Sequence, residues 1–390
     1  MELIIFMLRM FSDRTCSDYL KHFHLSLEYF QNPQPAINFN GAFRLVTSLD
    51  VQDGAMFYPF LSSVGEFKNL TNLRVLYIFF EKSWDPTHLA CFKDFSSLKK
   101  LRFSLLVNSF AKEKEFFENF SLPLTLEHLD LSLGSFTWSK DRWNDEAIQN
   151  GFDTDPLYLQ FYEKLQNSQK LKTLNLRCQD DMGGFSRRFI QQFTQLEELV
   201  FHYEQSSSRS TIQPLIFQDY WGALARSKET LSSVSIRYPR ITFPGKMDVL
   251  EMGFPRLEKL HLQAYIAPSN ELGVFCKTFP RLNDVWLLST AISDVKDLEY
   301  FLTSWRLIPQ KMKLMLSLDA SRIKNKPLIE CLTKYISEAK IRGKLEMNLA
   351  IGNYHRQKSL QALVELSQKK SSLEKLSVHV SKGSIGIYHQ

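Results

Sequence analysis

Cysteine, glycine and proline are scarce in this chain of 390 residues, which contains only 5, 15 and 14 of them. The five cysteines are far apart and include no C-x-x-C pair, so we expect neither a disulfide framework nor a zinc site. We therefore predict a reducing compartment, the cytoplasm or the nucleus. The shortage of glycine and proline leaves little linker and favours a globular protein of many short helices and strands.

Motifs of the common enzyme classes are also missing. The sequence has no Walker loop, no G-x-G-x-x-G, no H-E-x-x-H and no G-x-S-x-G. Asp153-Thr-Asp155 resembles the D-x-D of metal-dependent sugar transferases, and His22-Phe-His24 has a spacing that can bind a metal. Both matches are too short to carry a prediction. We therefore predict a protein that is not an enzyme, with no catalytic residue, no cofactor and no bound metal.

Long apolar runs are absent as well. No stretch approaches the 18 or so uncharged apolar residues of a membrane span, so no membrane partner is expected. The start of the chain, Met1 to Leu8, is apolar, but a basic residue (Arg9) follows it and no small-residue cleavage site is evident. We predict that residues 1–19 form an N-terminal cap and not a signal peptide.

What the sequence does contain is a repeated motif, L-x-x-L-x-L, at intervals of roughly 25 to 30 residues. A phenylalanine often stands three positions upstream of the motif, as at Phe95, Phe193, Phe254 and Phe279. About thirteen copies cover nearly the whole chain. Clear copies start at Leu73, Leu98, Leu126, Leu171, Leu196, Leu231, Leu257, Leu282 and Leu373, weaker ones start at Leu20 and Val46, and residues 313–318 and 344–349 keep only the alternation.

The alternation within each copy predicts a short strand with its leucines on one face. Helical patterns between the copies, such as Pro327 to Ile336, supply the return segment that parallel strands need. This arrangement resembles the leucine-rich repeat superfamily in its helix-containing, ribonuclease-inhibitor-like form. The resemblance implies an α/β solenoid over residues 20–390, a curved horseshoe with parallel strands on the concave face and helices on the convex face.

The repeats depart from the family pattern in two ways. The position that the family fills with Asn or Cys holds Glu81, Gly134, Gln179 and Tyr265 instead, which predicts an irregular curve. Two intervals are long, which predicts insertions near 133–165 and 203–222. Insertions in solenoids map to surface loops, so the first one, with Trp138 and Trp143, is a candidate for partner binding; a tolerated surface loop is the alternative.

The x positions of each strand are expected to point outward, toward any partner. Most of them are polar, and the aromatic exceptions, Tyr77, Phe79 and Trp286, are candidate anchors of an interface. Val75 is placed outward by the same register. The charged or imidazole-bearing candidates on this face are Arg102, Arg177, His202, Arg237 and His261.

Charge is distributed unevenly. Residues 301–390 have 16 Lys and Arg against 6 Asp and Glu, whereas the whole chain has 48 against 42. The basic residues include Lys324, Lys326, Lys340 and Arg342, which are candidates for contacts with an acidic partner or with RNA. A solvated helical face explains the same residues without any partner, and few aromatic residues accompany them to stack on bases.

From these observations we predict a non-catalytic scaffold or adaptor that binds another protein through the concave face and the loop insertions. The alternatives are a substrate-recognition subunit of a ubiquitin ligase, an RNA-associated subunit of a large complex that uses the basic C-terminal repeats, and a GTPase-activating protein. The first alternative is weakened because only about 19 residues precede the first repeat. The sequence indicates neither the partner's identity nor an oligomeric state.

Overall fold

The structure is a computed structural model. It describes residues 23–25, 46–51, 67–79, 86–106, 110–134, 156–179, 183–204, 215–242, 253–266, 271–292, 294–320, 323–338, 340–341, 343–351 and 373–380. The chain divides into two compact units, Met1–Ser208 and Arg209–Gln390. We describe each unit by itself.

The first unit is built on parallel strands that follow one another in chain order. They are β1 (Phe23–Leu25), β2 (Ser48–Val51), β3 (Asn72–Phe79), β4 (Lys100–Leu106), β5 (His128–Gly134), β6 (Thr173–Gln179) and β7 (Glu198–Glu204). Each strand pairs in parallel with the next one. Parallel neighbours require crossover segments, and helices supply the four crossovers between β3 and β7.

The helices of the first unit pack against the apolar face of these strands. The described helices are a 3-10 helix over Pro86–Asp94, α1 (Phe110–Asn119), α2 (Pro156–Gln166) and α3 (Gly183–Gln191). Aromatic rings join strand to helix and helix to helix. The ring centroids of Phe103 of β4 and Phe92 of the 3-10 helix are 5.3 Å apart, edge-on, and those of Phe117 of α1 and Phe161 of α2 are 5.0 Å apart. These contacts form a buried aromatic core between strands and helices.

The second unit repeats the scheme. Its strands are β8 (Leu215–Ile216), β9 (Ser233–Thr242), β10 (Lys259–Ile266), β11 (Asp284–Ala291), β12 (Leu307–Ile308), β13 (Lys313–Ala320), β14 (Lys340–Ile341), β15 (Lys344–Ile351) and β16 (Leu373–Val380). The long strands pair in parallel in the order β9-β10-β11-β13-β15-β16, and β8 pairs with β9. The short strands β12 and β14 pair separately.

In the described part of the second unit, the helices are α4 (Phe217–Leu224), a 3-10 turn over Ala225–Ser227, α5 (Glu271–Thr278), α6 (Val295–Thr303) and α7 (Asn325–Glu338). Asp294 caps α6, because its carboxylate accepts the backbone N–H of Asp297 at 2.8 Å. Between α6 and α7, the Tyr335 hydroxyl donates to the carbonyl of Trp305 at 3.0 Å. Trp305 is fully buried, so this bond ties α7 to the core.

A tight turn precedes many strands and accounts for the upstream phenylalanines. The backbone N–H of the first leucine of the L-x-x-L-x-L motif donates to the carbonyl three residues earlier, as in Leu98 to Phe95 at 3.3 Å and Leu257 to Phe254 at 3.2 Å. Both side chains of each pair are buried. The turn therefore places phenylalanine and leucine in the core together.

The backbone at the start of each strand forms a second regular feature, which we call the carbonyl ladder. One carbonyl of each repeat accepts two successive N–H groups of the next: Thr71 O accepts from Lys99 and Lys100, and Lys99 O accepts from Glu127 and His128, all at 2.9 Å. The ladder carbonyls of the first unit belong to Thr47, Thr71, Lys99, Glu127 and Lys172, and Ser232 and Glu258 play the same part in the second unit. These bonds hold neighbouring repeats in register.

The structure confirms an α/β fold with parallel strands and alternating burial. In β5, for example, Leu129, Leu131 and Leu133 are buried while His128, Asp130 and Ser132 are half-buried. The horseshoe curvature stays a prediction. Among the described residues, no helix combines the length and the apolar character that crossing a membrane requires.

One strand has a different register from the one predicted. Val75, expected to point outward, is fully buried, because Leu73 and Val75 pair with Leu101 and Phe103 of the core. The L-x-x-L-x-L motif of this repeat therefore begins at Leu70 and not at Leu73. A shift in pairing between Val75 and Ile78 then changes the alternation along the rest of β3.

Several domain predictions fall outside the described residues. Residues 1–19, predicted to be a cap, are among them, and so are 135–155 and 205–214 of the two predicted insertions. The remaining parts of those insertions contain regular structure. Within 156–165, helix α2 buries Tyr158, Phe161, Tyr162 and Leu165, and within 215–222, helix α4 buries Phe217, Tyr220 and Trp221.

Candidate binding surface

The outward positions of the strands form a polar face in each unit. In the first unit, the leucines of β4 to β6 are buried on the helix side, and the alternate side chains remain partly accessible on the other side. Because all the strands are parallel and paired residue by residue, equivalent outward positions line up in rows across the sheet. The rows bring together side chains that are far apart in sequence.

One row of the first unit carries two carboxylates that flank two guanidinium groups, and we call it the charged row: Asp50 of β2, Arg74 of β3, Arg102 of β4 and Asp130 of β5. The Arg74 guanidinium donates to the Asp50 carboxylate at 2.9 Å. At the other end, Arg102 Nε lies 3.3 Å from Asp130 Oδ2. The two ion pairs stand side by side and place two guanidinium groups on adjacent strands.

Two further predicted site residues lie beside this row. Arg177 of β6 approaches the same carboxylate, with its Nη2 3.8 Å from Asp130 Oδ2. His202 of β7 stands opposite Arg177 in the strand pairing and is half-buried. The structure therefore brings Arg102, Arg177 and His202, drawn from three different repeats, onto one face.

The charged row borders a depression of about 520 Å³ on this face. Its polar lining comes from the first two outward positions of the strands: Ser48, Asp50, Asn72, Arg74, Lys100, Arg102, His128, Asp130, Thr173 and Asn175. Three cationic side chains and two carboxylates line it, so the depression has a surplus of one positive charge when the histidine is neutral.

A row of ion pairs follows the carbonyl ladder at the start of the strands. Lys99 Nζ lies 3.3 Å from Glu127 Oε1, and Lys172 Nζ lies 3.1 Å from Glu197 Oε1. The hydrogen bond from Lys99 lowers the pKa of Glu127 below its ordinary value. These pairs are exposed to solvent, so they contribute charge pattern to the surface and little stability.

In the second unit, the predicted anchor Trp286 lies on the outward face of β11 and is half-buried. Its ring stacks on that of His261, which is directly opposite on β10, with centroids 4.4 Å apart and planes 16° apart. His261 Nε2 in turn lies 3.3 Å from Asp284 Oδ2. The indole is therefore held against a neighbouring ring on this face.

Two more features complete the outward face of the second unit. On the next strand, β13, Met315 stands opposite Trp286, and Lys313 forms an ion pair of 2.9 Å with Glu346 of β15. Arg237 of β9, another predicted site residue, is exposed. Arg237, His261 and Trp286 thus share the face on which the sequence predicted them.

Among the basic candidates of the last repeats, the structure describes the side chains of Lys324 and Lys326. Lys324 and Lys326 are exposed at the start of α7, where Lys326 stands 4.0 Å from Glu330. Other basic residues of this helix layer are paired with acids, as Lys334 is with Glu299 at 2.8 Å and Arg306 with Glu338 at 3.3 Å. This pattern is typical of a solvated helical face.

The other predicted site residues cannot be placed at the level of side chains. Trp138, Trp143 and Arg342 lie outside the described residues. For Tyr77, Phe79 and Lys340, the structure describes the backbone in β3 and β14 and not the side chain. Their roles in partner binding stay predictions.

Sequence reasoning missed Arg74 as a site residue, because the repeat was aligned on Leu73. An alignment on Leu70, with Phe67 three positions upstream, puts Arg74 level with Asp50, Arg102 and Asp130. The upstream phenylalanine was therefore the signal that could have found it.

Comparison with known proteins gives no assignment, since the sequence matches no family model and no curated protein. Among the described residues, no group of three or more His, Cys, Asp or Glu side chains converges as a metal site would. The fold and the surface define an α/β protein that exposes one polar face of a parallel sheet in each unit.

Proposed function

We propose that this chain is a leucine-rich repeat solenoid that binds another protein, without catalysis, through the outward face of its strands. The observation that carries the proposal is the contrast between the two faces of the sheet. In the described strands, the apolar side chains of one face are buried, and the other face presents rows of partly exposed charged side chains from successive repeats.

The rows are suited to recognition because they are ordered before a partner arrives. Arg74 is held by Asp50, and Arg102 is held by Asp130, so the side chains of the charged row lose little freedom on binding. Strand pairing fixes the spacing between neighbouring rows. Complementary charges on a partner would then set its orientation and its rate of association.

Charge reversals on the two layers of the first unit test this proposal. Lys100 is exposed at the edge of the depression, and Lys93 is exposed on the 3-10 helix of the other layer. We expect Lys100→Glu, combined with Arg102→Glu, to abolish capture of a specific partner from the native source. Lys93→Glu should leave capture at the level of the unmodified chain.

The measurement is quantitative mass spectrometry of affinity-purified material from the three forms of the chain. A partner retained by the Lys93 variant and lost by the Lys100/Arg102 variant supports recognition by the sheet face. Equal recovery of every protein by all three forms would show that this face is not the interface. Circular dichroism checks that the reversals leave the fold intact.

The sequence-based alternatives lead to different results in the same experiment. Recovery of ubiquitin-ligase subunits would support a substrate-recognition subunit. Recovery that ribonuclease treatment removes would support the RNA-associated subunit, for which binding should also fall steeply with salt. Of the four basic residues named for RNA, the exposed Lys324 and Lys326 are the ones to reverse first.

A further inference from the structure

The second unit carries a surface whose chemistry specifies a partner more closely than the charged row does. Three large apolar side chains, Trp286, Leu288 and Met315, are half-buried on the outward face of β11 and β13. Their sequence neighbours Val285, Leu287 and Leu314 are buried on the other face, so the three are outward and not part of the core. We call these three side chains the apolar platform.

The platform is preorganised. Trp286 and Met315 are paired directly across two strands, and the indole stacks on His261 at 4.4 Å. Asp284 Oδ2 lies 3.3 Å from the Nε2 atom of this imidazole. A side chain that is already fixed in place loses little entropy on binding, which is the property of an interface anchor.

A row of lysines borders the platform. Lys259, Lys313 and Lys344 occupy the outward position two residues before the platform, on β10, β13 and β15, with Asp284 between the first two. Lys259 and Lys344 are exposed, whereas Asp284 and Glu346 retain only 23% and 17% side-chain exposure. The outermost charges on this border are therefore positive.

We infer that the apolar platform and its lysine border bind an acidic protein segment that presents one large apolar side chain. Two residues along a strand span about 6.6 Å, so the carboxylates should lie about that far from the apolar anchor. In an extended segment this corresponds to acidic residues two positions from the anchor. The inference names a partner chemistry within the proposed recognition function, and it uses no residue of the first unit.

An array of 15-residue peptides probed with the full-length chain tests the inference. The central residue is Leu, Phe or Ala, and the residues two positions away on each side are Glu, Ser or Lys. We expect binding only where an apolar centre is combined with Glu, and about tenfold weaker binding when either feature is replaced. Uniform binding, or none, would overturn the inference.

Variants then locate the site. Two variants should each lower the affinity for the tightest-binding peptide by about tenfold, as measured by fluorescence anisotropy. They are Trp286→Ala and the double reversal Lys259→Glu with Lys344→Glu. Lys296→Glu combined with Lys324→Glu, at two exposed lysines outside the strands, is the matched control and should leave the affinity unchanged. An equal loss in the control would mean that net charge alone attracts the peptide.

Two further measurements separate the remaining outcomes. Thermal unfolding of each variant shows whether the platform side chains are needed for folding; a Trp286 variant that unfolds is replaced by Met315→Ser. Single-stranded poly(U) is titrated in parallel, and binding that depends on the lysines and not on Trp286 would assign the surface to a nucleic acid and refute the acidic segment. Failure here with success of the Lys100/Arg102 test would leave the proposed function standing on the first unit alone.

Discussion

Tyr335 shows how one buried polar residue is accommodated in this fold. Its hydroxyl donates to the Trp305 carbonyl at 3.0 Å, and the ring is almost wholly buried. Burial raises the pKa of the phenol above its ordinary value of 10.0, because the charged phenolate would be poorly solvated there. The neutral form is therefore the one that the folded state stabilises.

This arrangement predicts an alkaline loss of stability. A raised pKa in the folded state gives a contribution that is complete below pH 10 and declines as pH rises above it. From pH 7.5 to pH 10.8, the free energy of unfolding measured by urea titration should fall further for the unmodified chain than for Tyr335→Phe. At pH 7.5 the variant should be less stable by about 1 kcal/mol, since the hydrogen bond is lost.

The matched control for this prediction is Tyr300→Phe, because Tyr300 is an exposed tyrosine of helix α6 in the same unit. Its pH profile should follow that of the unmodified chain. If the Tyr335 and Tyr300 variants have the same profile, the buried phenol is not the group responsible.

At the scale of the element, two glycines in helices behave oppositely. A Cβ added to Gly273 in α5 would collide with Ser304 Oγ and would lie 2.5 Å from Ser304 Cβ, whereas one added to Gly222 in α4 would meet nothing within 4 Å. Alanine is favoured over glycine inside a helix by about 1 kcal/mol in both cases. Packing against Ser304 therefore decides the difference between them.

We expect Gly222→Ala to stabilise the protein by up to about 1 kcal/mol and Gly273→Ala to destabilise it by about 1–3 kcal/mol. Urea titration of both variants measures the difference in the free energy of unfolding. Adding Ser304→Gly to the Gly273 variant should recover part of the loss, because the colliding atoms are removed. A stable Gly273→Ala protein would mean that α5 is not held this close to Ser304.

The strands are the elements that the sequence predicted best. The L-x-L alternation reports burial directly, since each leucine must reach the core and each intervening residue must not. The alternation was assigned the wrong register at Val75, because both Leu70 and Leu73 could begin the repeat motif there. A shift in strand pairing follows Val75. The rows across strands were harder to predict, because the contact of Trp286 with His261 depends on the pairing of two copies and on neither copy alone.

At the scale of the whole molecule, a repeat architecture predicts that a core substitution destabilises its own repeat and the neighbouring ones and leaves distant repeats unchanged. Phe117 is fully buried in the aromatic core of the first unit, within 5.5 Å of Tyr158, Phe161 and Phe185. We expect Phe117→Ala to cost about 3–5 kcal/mol. Hydrogen exchange should rise in β4 to β6 and change little in β13 and β15.

Leu124→Ala is the control, since Leu124 is an exposed leucine of the same unit and its removal should alter stability by less than about 0.5 kcal/mol. Hydrogen exchange followed by mass spectrometry reads both variants peptide by peptide. An equal rise in every strand after Phe117→Ala would show that the chain unfolds in a single cooperative step.

The carbonyl ladder has a consequence for how this surface can vary. Its acceptors are main-chain atoms, and the residues that provide them are as different as Thr71, Lys99 and Glu127. The bonds between repeats are thus indifferent to the side chain at that position. Substitutions there can accumulate, or be installed by design, and change the chemistry of the sheet's border while the backbone beneath it stays the same.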